Sequence, residues 1–83
     1  MVYGLLRKYR YIKVEQHLRD PWTGEYDTYG LSAQQWGPGG WEELYVLNDV
    51  AADEAFVAGL AALCTRENLD PGQLKDVVLD HLP

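Results

Sequence analysis

Four side chains in this sequence have the chemistry of a nucleophile or of its base, namely Cys64, Ser32, His17 and His81. Nucleophilic catalysis needs a base within hydrogen-bonding distance of the nucleophile, so their places in the fold decide whether they react. Cys64 belongs to an apolar helical stripe, where a buried thiol behaves as a small hydrophobic group. His17 follows a strand, and His81 ends a helix, where a cation is favourable beside the helix dipole. We therefore predict that the protein is not an enzyme.

Metal and phosphate sites are not indicated either. One cysteine and two histidines cannot complete a tetrahedral metal site unaided. Asp76 and Asp80 lie one helical turn apart, a spacing that suits a metal but is more typical of a solvated helix face. Residues 37–40 are Gly-Pro-Gly-Gly, without the lysine and the helix start that bind phosphate. We expect no cofactor and no metal ion.

Basic and aromatic residues alternate at the start of the first predicted strand. Strand geometry places Tyr9, Tyr11 and Lys13 on one face. On an exposed face, two rings and a cation form a platform on which single-stranded bases stack. The structural alternative is that the rings pair across the sheet with Tyr26 or Tyr45, while the lysine keeps the sheet soluble. Both interpretations stay open, and these three residues are candidate partner-binding residues.

Three tryptophans form the second candidate group. Trp22, Trp36 and Trp41 lie in or beside the two predicted hairpin loops. Tryptophan is enriched in the hot spots of protein interfaces. The alternative is that these rings cap the open end of a small core. We predict all three as partner-binding residues and leave that alternative open.

Charge is distributed unevenly along the chain. The net charge is -6, yet residues 1–19 carry five basic side chains against one acidic, and the remainder carries two basic against twelve acidic. Overall acidity opposes non-specific binding to nucleic acid, whereas a basic strand permits a local contact. The acidic remainder suggests a further hypothesis, an inhibitor that imitates nucleic acid. That hypothesis requires the acids to gather on one face.

Length and composition predict a single domain over residues 1–83. A chain of 83 residues is too short for two cores, and 47% hydrophobic with 24% charged residues is typical of a globular protein. The short apolar start becomes basic at Arg7, so it is too short for a signal peptide or a membrane span. Cys64 cannot form an internal disulfide. We expect a cytoplasmic protein without a membrane partner.

Period-two alternation predicts three antiparallel strands. The first covers residues 6–18, with Ile12 and Val14 toward the core, and it ends at a proline-glycine turn. The second covers residues 25–36, and a glycine-rich loop separates it from the third, residues 41–47. Because a meander with one apolar face is not stable alone in water, helices must cover that face.

Two helices are predicted after the strands. The first, residues 52–67, has an apolar stripe that includes Phe56 and Cys64. Its opposite side has small residues, which serve helix propensity or pack against the second helix or a second subunit. The second helix begins at Pro71 behind an Asp70 N-cap. The fold class is therefore α+β, a three-stranded antiparallel meander followed by two helices packed on one face (β-β-β-α-α).

The sequence also matches a known pattern over about residues 26–82. The matching positions are Tyr29, Gly30, Leu31, Val50, Asp53, Phe56, Val57, Leu60, Leu63, Cys64, Leu69, Pro71, Leu74, Asp76, Val77 and Val78. In these residues the chain resembles a small uncharacterised bacterial family, found mainly in Gram-positive bacteria and known only as a domain of unknown function. The resemblance implies a compact bacterial cytoplasmic protein and no particular activity or site residue. The chain departs from the family at Ala51, where a serine or threonine would cap the first helix.

Our leading interpretation is a small protein-interaction or regulatory module that associates with itself, expected as a homodimer. A core this small gains stability from a partner subunit, and ten large aromatic residues exceed what it needs. One alternative is single-stranded nucleic-acid binding through the first strand. Another is the acidic inhibitor that imitates nucleic acid.

Overall fold

Three long antiparallel strands form one sheet in the computed structural model, which describes residues 8–82. β1 is Tyr9–Asp20, β2 is Gly24–Gly37 and β3 is Gly40–Ala51, with β2 in the centre. The predicted start of the first strand at Leu6 lies outside the described residues. The third strand continues four residues beyond its predicted end, so it covers more of β2 than expected.

Local hydrogen bonds fix the turn between β1 and β2. One carboxylate oxygen of Asp20 accepts the backbone N–H groups of Trp22, at 2.7 Å, and Thr23, at 3.2 Å. Gly24 then adopts a positive φ of 84°, which glycine tolerates without steric cost. The turn therefore presents Trp22 at its tip, where the residue is 92% exposed.

Two helices follow the sheet, α1 at Glu54–Arg66 and α2 at Leu74–His81. The side chain of Asp53 accepts the backbone N–H of Phe56 and so caps α1. The helix therefore begins two residues later than predicted, and Ala51 belongs to β3 rather than to a cap. The α+β prediction of three antiparallel strands followed by two helices is confirmed.

The predicted cap of the second helix is also present, although the first turn has a different form. Asp70 accepts the backbone N–H of Gly72 at 2.8 Å. The next three residues, Pro71–Gln73, form a single 3-10 turn before α2 begins. Proline fits this first turn because its missing N–H would have no partner within the helix.

The core lies between the helices and one face of the sheet, which we name the inner face. The predicted stripe of α1 is confirmed, since Val57, Leu60 and Cys64 are buried. The buried apolar residues are Tyr9, Tyr11, Leu31, Ala33, Val57, Leu60, Ala61, Cys64, Leu74 and Val78. Among residues 8–82, helices therefore cover the inner face, and no second layer covers the outer face of the sheet.

The small-residue side of α1 does not pack against α2. Ala55, Ala58, Gly59 and Ala62 are all exposed. A Cβ atom added at Gly59 would meet no atom within 4 Å. Within this chain, the small side chains therefore leave one flank of the helix open.

The predicted orientation of β1 is wrong. Tyr9 and Tyr11 point toward the helices, at 8% and 3% exposure, and Ile12 lies on the outer face, at 37%. Burying two tyrosine rings removes more apolar area from water than burying Ile12 and Val14. The Tyr11 hydroxyl also donates to the carbonyl oxygen of Leu69, so its polar atom has a partner in the core. Because side chains alternate across a strand, this choice reverses every residue of β1.

Candidate interaction surface

The outer face of the sheet carries apolar side chains on its two edge strands. Ile12 of β1 lies opposite Ser32 of β2, which lies opposite Val46 of β3. Ile12 is exposed, and Val14 and Val46 are half-buried. Two strips of apolar surface on the edge strands therefore flank a polar central strand.

Two tryptophans and an arginine form one corner of this face, which we name the tryptophan corner (Arg10, Trp36 and Trp41). The rings of Trp36 and Trp41 meet edge to face, with their centroids 5.4 Å apart and their planes at 67°. The Arg10 guanidinium lies over the Trp41 ring, 4.3 Å from its centroid. Such cation-π contacts hold a cation and a ring together on a surface. Trp36 remains 51% exposed, so this ordered corner still presents a large ring to water.

A chain of hydrogen bonds connects the tryptophan corner to the opposite edge of the sheet. Arg10 donates through Nε to Gln34 Oε1 at 2.7 Å, and Gln34 donates through Nε2 to Ser32 Oγ at 3.1 Å. Ser32 then donates to Glu43 Oε2 at 2.6 Å. Ser32 is 1% exposed, and no buried side-chain nitrogen or oxygen among the described residues lacks a partner. The buried polar atoms of this strip are therefore satisfied within the chain, whereas the exposed Glu43 carboxylate has no ion-pair partner among the described residues.

A bulge in β3 covers the other end of the central strand. Asp49 adopts a positive φ of 51° and accepts hydrogen bonds from Thr28, at 2.8 Å, and from Tyr26, at 3.0 Å. Gln16 crosses from β1 over Gly30 and accepts the backbone N–H of Asp49 at 2.8 Å. The three strands are thereby tied together on their outer side without a helix.

The two edges of the sheet are protected from pairing with another strand, whereas the outer face is exposed. On β1, the backbone N–H of Tyr9 donates to the side-chain oxygen of Asn68 at 2.7 Å, and the backbone N–H of Tyr11 donates to Thr65 Oγ1 at 2.8 Å. Thr65 lies in the last turn of α1, and Asn68 follows that helix. On β3, register shifts lie on both sides of the segment that faces Leu31 and Ala33. Bulges and capped backbone groups discourage the addition of another strand. The face is therefore more available for contact than the edges.

The β1 and β2 hairpin extends past the sheet's third strand as a two-stranded arm, residues 17–27. On its inner side, His17 contacts two carboxylates, with Nε2 at 2.6 Å from Glu25 and Nδ1 at 2.7 Å from Asp27. Arg19 contacts Glu25 at 3.0 Å. Hydrogen bonds raise the pKa of His17 above its ordinary value, the bond to Asp27 having the larger effect and the bond to Glu25 the smaller. The arm is thus held by exposed charges rather than by a core.

The predicted binding residues have different environments. Tyr9 and Tyr11 are buried, so the predicted stacking platform does not exist on the exposed surface. Burial, the largest cause, raises the pKa of Tyr11. Lys13 lies on the same inner face and pairs with Glu54 at the start of α1. The platform hypothesis failed because the tyrosines supply the core with its largest rings.

The three predicted tryptophans are exposed to different extents. Trp36 and Trp41 come together at the tryptophan corner, whereas Trp22 stands alone at the tip of the arm. Sequence reasoning included Arg10 only within the basic first strand proposed for nucleic-acid binding, and it missed Gln34 and Glu43 as members of this surface. A tight hairpin would place Trp36 opposite Trp41. Because alternate residues of a strand share a face, Gln34 and Glu43, each two residues further along its strand, then lie on the same face as the two rings.

None of the predicted reactive residues is arranged for catalysis. Cys64 is buried in the core, and burial raises the pKa of its thiol. His81 uses Nδ1 to contact the carbonyl oxygen of Val77 at 2.9 Å. Over residues 8–82, no three histidine, cysteine or carboxylate side chains are grouped as metal ligands. Neither described helix has the length and apolar composition needed to cross a bilayer.

Acidic and basic side chains are distributed over both faces of the sheet. Glu43 and Asp49 lie on the outer face, whereas Glu25 and Asp27 lie on the inner side of the arm. Asp53 caps α1. This arrangement does not gather the acids on one face, so it gives no support to the nucleic-acid-mimicking inhibitor.

Comparisons of the chain with protein-family models, with curated proteins and with solved structures found no match.

Proposed function

We propose that this protein is a small interaction module that associates with itself through the outer face of its sheet. The observation that carries the proposal is the difference between the two faces. Both helices lie on the inner face, while the outer face leaves Trp36 51% exposed and Ile12 37% exposed. Exposed apolar surface of this kind marks interaction sites when it is contiguous and rimmed by polar groups.

The size of the face supports a dimer. All three strands lie side by side over residues 29–37 of β2, and at a rise of about 3.3 Å per residue this stretch is roughly 30 Å long. Three strands about 4.8 Å apart give it a flat footprint of roughly 430 Å², and the two-stranded arm adds roughly 130 Å². Side chains add relief to this flat area, and a standard interface buries about 800 Å² per partner. We therefore expect a weak to moderate homodimer with a Kd in the micromolar range, about 1 to 100 µM.

The chemistry of the face suits a second copy of the same chain. A two-fold contact places the same patch on both subunits, and stacked sheets lie about 10 Å apart with their side chains interdigitated. The apolar strips of Ile12 and Val46 would then cover each other. Ser32 and Gln34 already have hydrogen-bond partners within their own chain, and Glu43 accepts one hydrogen bond through Oε2. The second carboxylate oxygen of Glu43 has to stay at the hydrated rim of the contact, because burying an unpaired charge is costly.

Sedimentation equilibrium over about 10 µM to 1 mM tests this proposal. The wild type is expected to dimerise, and Ile12→Asp is expected to raise the Kd at least about tenfold, because it buries an unpaired charge. Leu79→Asp is the matched control, since Leu79 lies on α2, is 56% exposed and gives the same change in charge. A wild type that stays monomeric at the highest concentration contradicts the proposal, as does a Leu79 variant that weakens association equally.

A second candidate function is single-stranded nucleic-acid binding at the tryptophan corner. Arg10 and Trp36 offer a cation and a half-exposed ring, which is the chemistry that stacks bases without sequence preference. Glu43, at the end of the hydrogen-bonded chain, and the net charge of -6 oppose it. Titration with a single-stranded oligonucleotide at low salt should quench Trp36 fluorescence, and Trp36→Phe should remove most of that change. Unchanged fluorescence excludes this function.

We further propose that the module acts in the bacterial cytoplasm and has no catalytic activity. The resemblance to the bacterial family over about residues 26–82 supports the first statement. The burial of Cys64 and the pairing of His17 with two carboxylates support the second, because neither side chain faces the other.

A further inference from the structure

The arm, residues 17–27, depends on contacts between its own two strands and on one bond to β3, which the Tyr26 hydroxyl donates to Asp49 at 3.0 Å. β3 ends at Ala51, opposite Tyr29, so the arm has no third strand beside it. A two-stranded ribbon is marginally stable in water. Its cross-strand contacts therefore determine how fully the arm is ordered.

His17 is the centre of these contacts. Its two ring nitrogens contact Glu25 and Asp27, one carboxylate each. Ionised carboxylates can only accept hydrogen bonds, and a neutral imidazole has a single N–H to donate. Both contacts are satisfied together only when the imidazole is protonated on both nitrogens. When the ring is neutral, one nitrogen lone pair faces a carboxylate oxygen, and the negative charges of Glu25 and Asp27 repel each other.

The charged groups around His17 come from both strands of the arm. On β1, Glu15 and Arg19 are its neighbours on the same side, and on β2 the facing groups are Glu25 and Asp27. Arg19 also contacts Glu25, at 3.0 Å, so one carboxylate is shared between two cations. Among the described residues, the imidazole is the one cation that contacts Asp27. Loss of the imidazolium charge therefore affects the Asp27 contact most.

The other side of the arm is continuous with the outer face of the sheet. Leu18 lies opposite Tyr26 there, and both are half-buried. In a face-to-face dimer these two residues lengthen the apolar strip that begins at Ile12 and Val14. The order of the arm therefore affects how much area each subunit contributes.

We infer that His17 is a pH-dependent clamp on the arm and that its protonation strengthens self-association. This inference rests on the proposed function, since it assigns a regulator to the same surface. Protonated His17 holds Glu25 and Asp27 together, keeps Leu18 and Tyr26 in register and completes the contact face. The neutral ring loosens the arm and reduces the area available to the partner.

The direction of the pH dependence follows from the two ionisations. The pKa of His17 is raised in the folded chain, so the clamp is complete below the unfolded value of about 6.5 and is lost as pH rises through the folded value. Hydrogen bonds lower the pKa of Glu25, the bond from His17 having the larger effect and the bond from Arg19 the smaller. The contribution of Glu25 to the clamp is therefore lost as pH falls through that lowered value. The clamp is therefore strongest in weakly acidic solution.

Two measurements at about pH 6 and about pH 9 test the inference. Carbon-detected NMR of the Ile12→Asp variant, which is expected to stay monomeric at the concentration that NMR needs, follows the Cα shifts of residues 17–27, and sedimentation equilibrium of the wild type gives the dimer Kd. At the lower pH we expect more strand-like shifts in the arm and a Kd about threefold lower, the size of effect that a surface ion pair gives. His17→Gln should remove both differences. His81→Gln, which alters the other histidine at the end of α2, should retain them.

The outcomes separate the inference from the proposed function. A dimer whose Kd is the same at both pH values overturns the inference and leaves the proposed function standing. A His17→Gln variant that keeps the wild-type pH dependence also overturns it. Arm shifts that depend on pH in a chain that never dimerises support the clamp, overturn its regulatory role and overturn the proposed function.

Discussion

At Gly30, two neighbouring strands leave no room for a side chain. A Cβ atom there would lie 2.6 Å from the carbonyl oxygen of Leu47 and 3.0 Å from Gln16 Oε1. The closer atom belongs to the backbone, so it cannot rotate away. Gly30→Ala is therefore expected to reduce the free energy of unfolding by about 1 to 3 kcal/mol, the usual cost of overpacking. Urea denaturation measures this loss.

Gly59 provides the matched control for that substitution. A Cβ atom at this position in α1 meets nothing within 4 Å. Because alanine is a better helix former than glycine, Gly59→Ala should raise the free energy of unfolding by about 0.5 to 1 kcal/mol. Equal effects at Gly30 and Gly59 would contradict the close approach of the strands.

Tyr11 anchors the core through its ring and its hydroxyl group, which donates to Leu69. Tyr11→Phe should lower the free energy of unfolding by about 1 kcal/mol at neutral pH. Burial raises the pKa of Tyr11, so its stabilising effect is present below the unfolded value of about 10 and declines as pH rises above it. Urea denaturation at pH 7 and above pH 10 should therefore show the difference shrinking. A difference that grows with pH would contradict this environment.

At the scale of elements, the contact between α1 and the free edge of β1 stabilises the sheet. Thr65 Oγ1 accepts the N–H of Tyr11 at 2.8 Å and donates to the carbonyl oxygen of Tyr11 at 3.2 Å. Thr65→Val keeps the shape of the side chain and removes both bonds. We expect a loss of about 1 to 2 kcal/mol in the free energy of unfolding and more aggregation, since an uncapped edge invites pairing.

An exposed threonine provides the control for that substitution. Thr23 lies in the turn at the tip of the arm. Thr23→Val should change the free energy of unfolding by less than about 0.5 kcal/mol, the usual range for surface positions. If both valine variants unfold and aggregate alike, Thr65 has no special role at the edge.

The helices could be predicted from the sequence because local chemistry determines them. Asp70 and Pro71 define the start of the turn before α2, and the period of the apolar residues in α1 identifies its buried side. The strand ends were less accurate. β3 continues to Ala51 because Asp49, in a left-handed conformation, bonds to the central strand, and that long-range contact has no local pattern.

Alternation of the residues alone could not predict which side of β1 faces the core. Apolar residues occupy both sides of this strand, with Tyr9 and Tyr11 on one and Ile12 and Val14 on the other. Only the partner surface decides between them, and the segment that follows α1 offers the carbonyl oxygen of Leu69 to the Tyr11 hydroxyl. The candidate site changed accordingly, from a tyrosine platform to the tryptophan corner and the apolar strips of the outer face.

At the scale of the whole molecule, the part of the chain that the structure describes is elongated, 53 × 28 × 19 Å, and its helices lie on one side of the sheet. The sheet's outer hydrogen bonds, from Arg10 to Glu43 and from Gln16 to Asp49, hold its shape without a second layer. These bonds order the face before any partner arrives. Rigid surfaces lose little conformational entropy on binding, which favours association even over a modest area.

Isotope-filtered NOE spectroscopy on a dimer mixed from labelled and unlabelled chains tests the central claim most directly. We expect intermolecular NOEs from the methyl groups of Ile12, Val14 and Val46 to the rings of Trp36 and Trp41. Intermolecular NOEs confined to the α1 methyl groups of Ala58 and Ala62, or none at concentrations well above the Kd, would contradict association through the outer face.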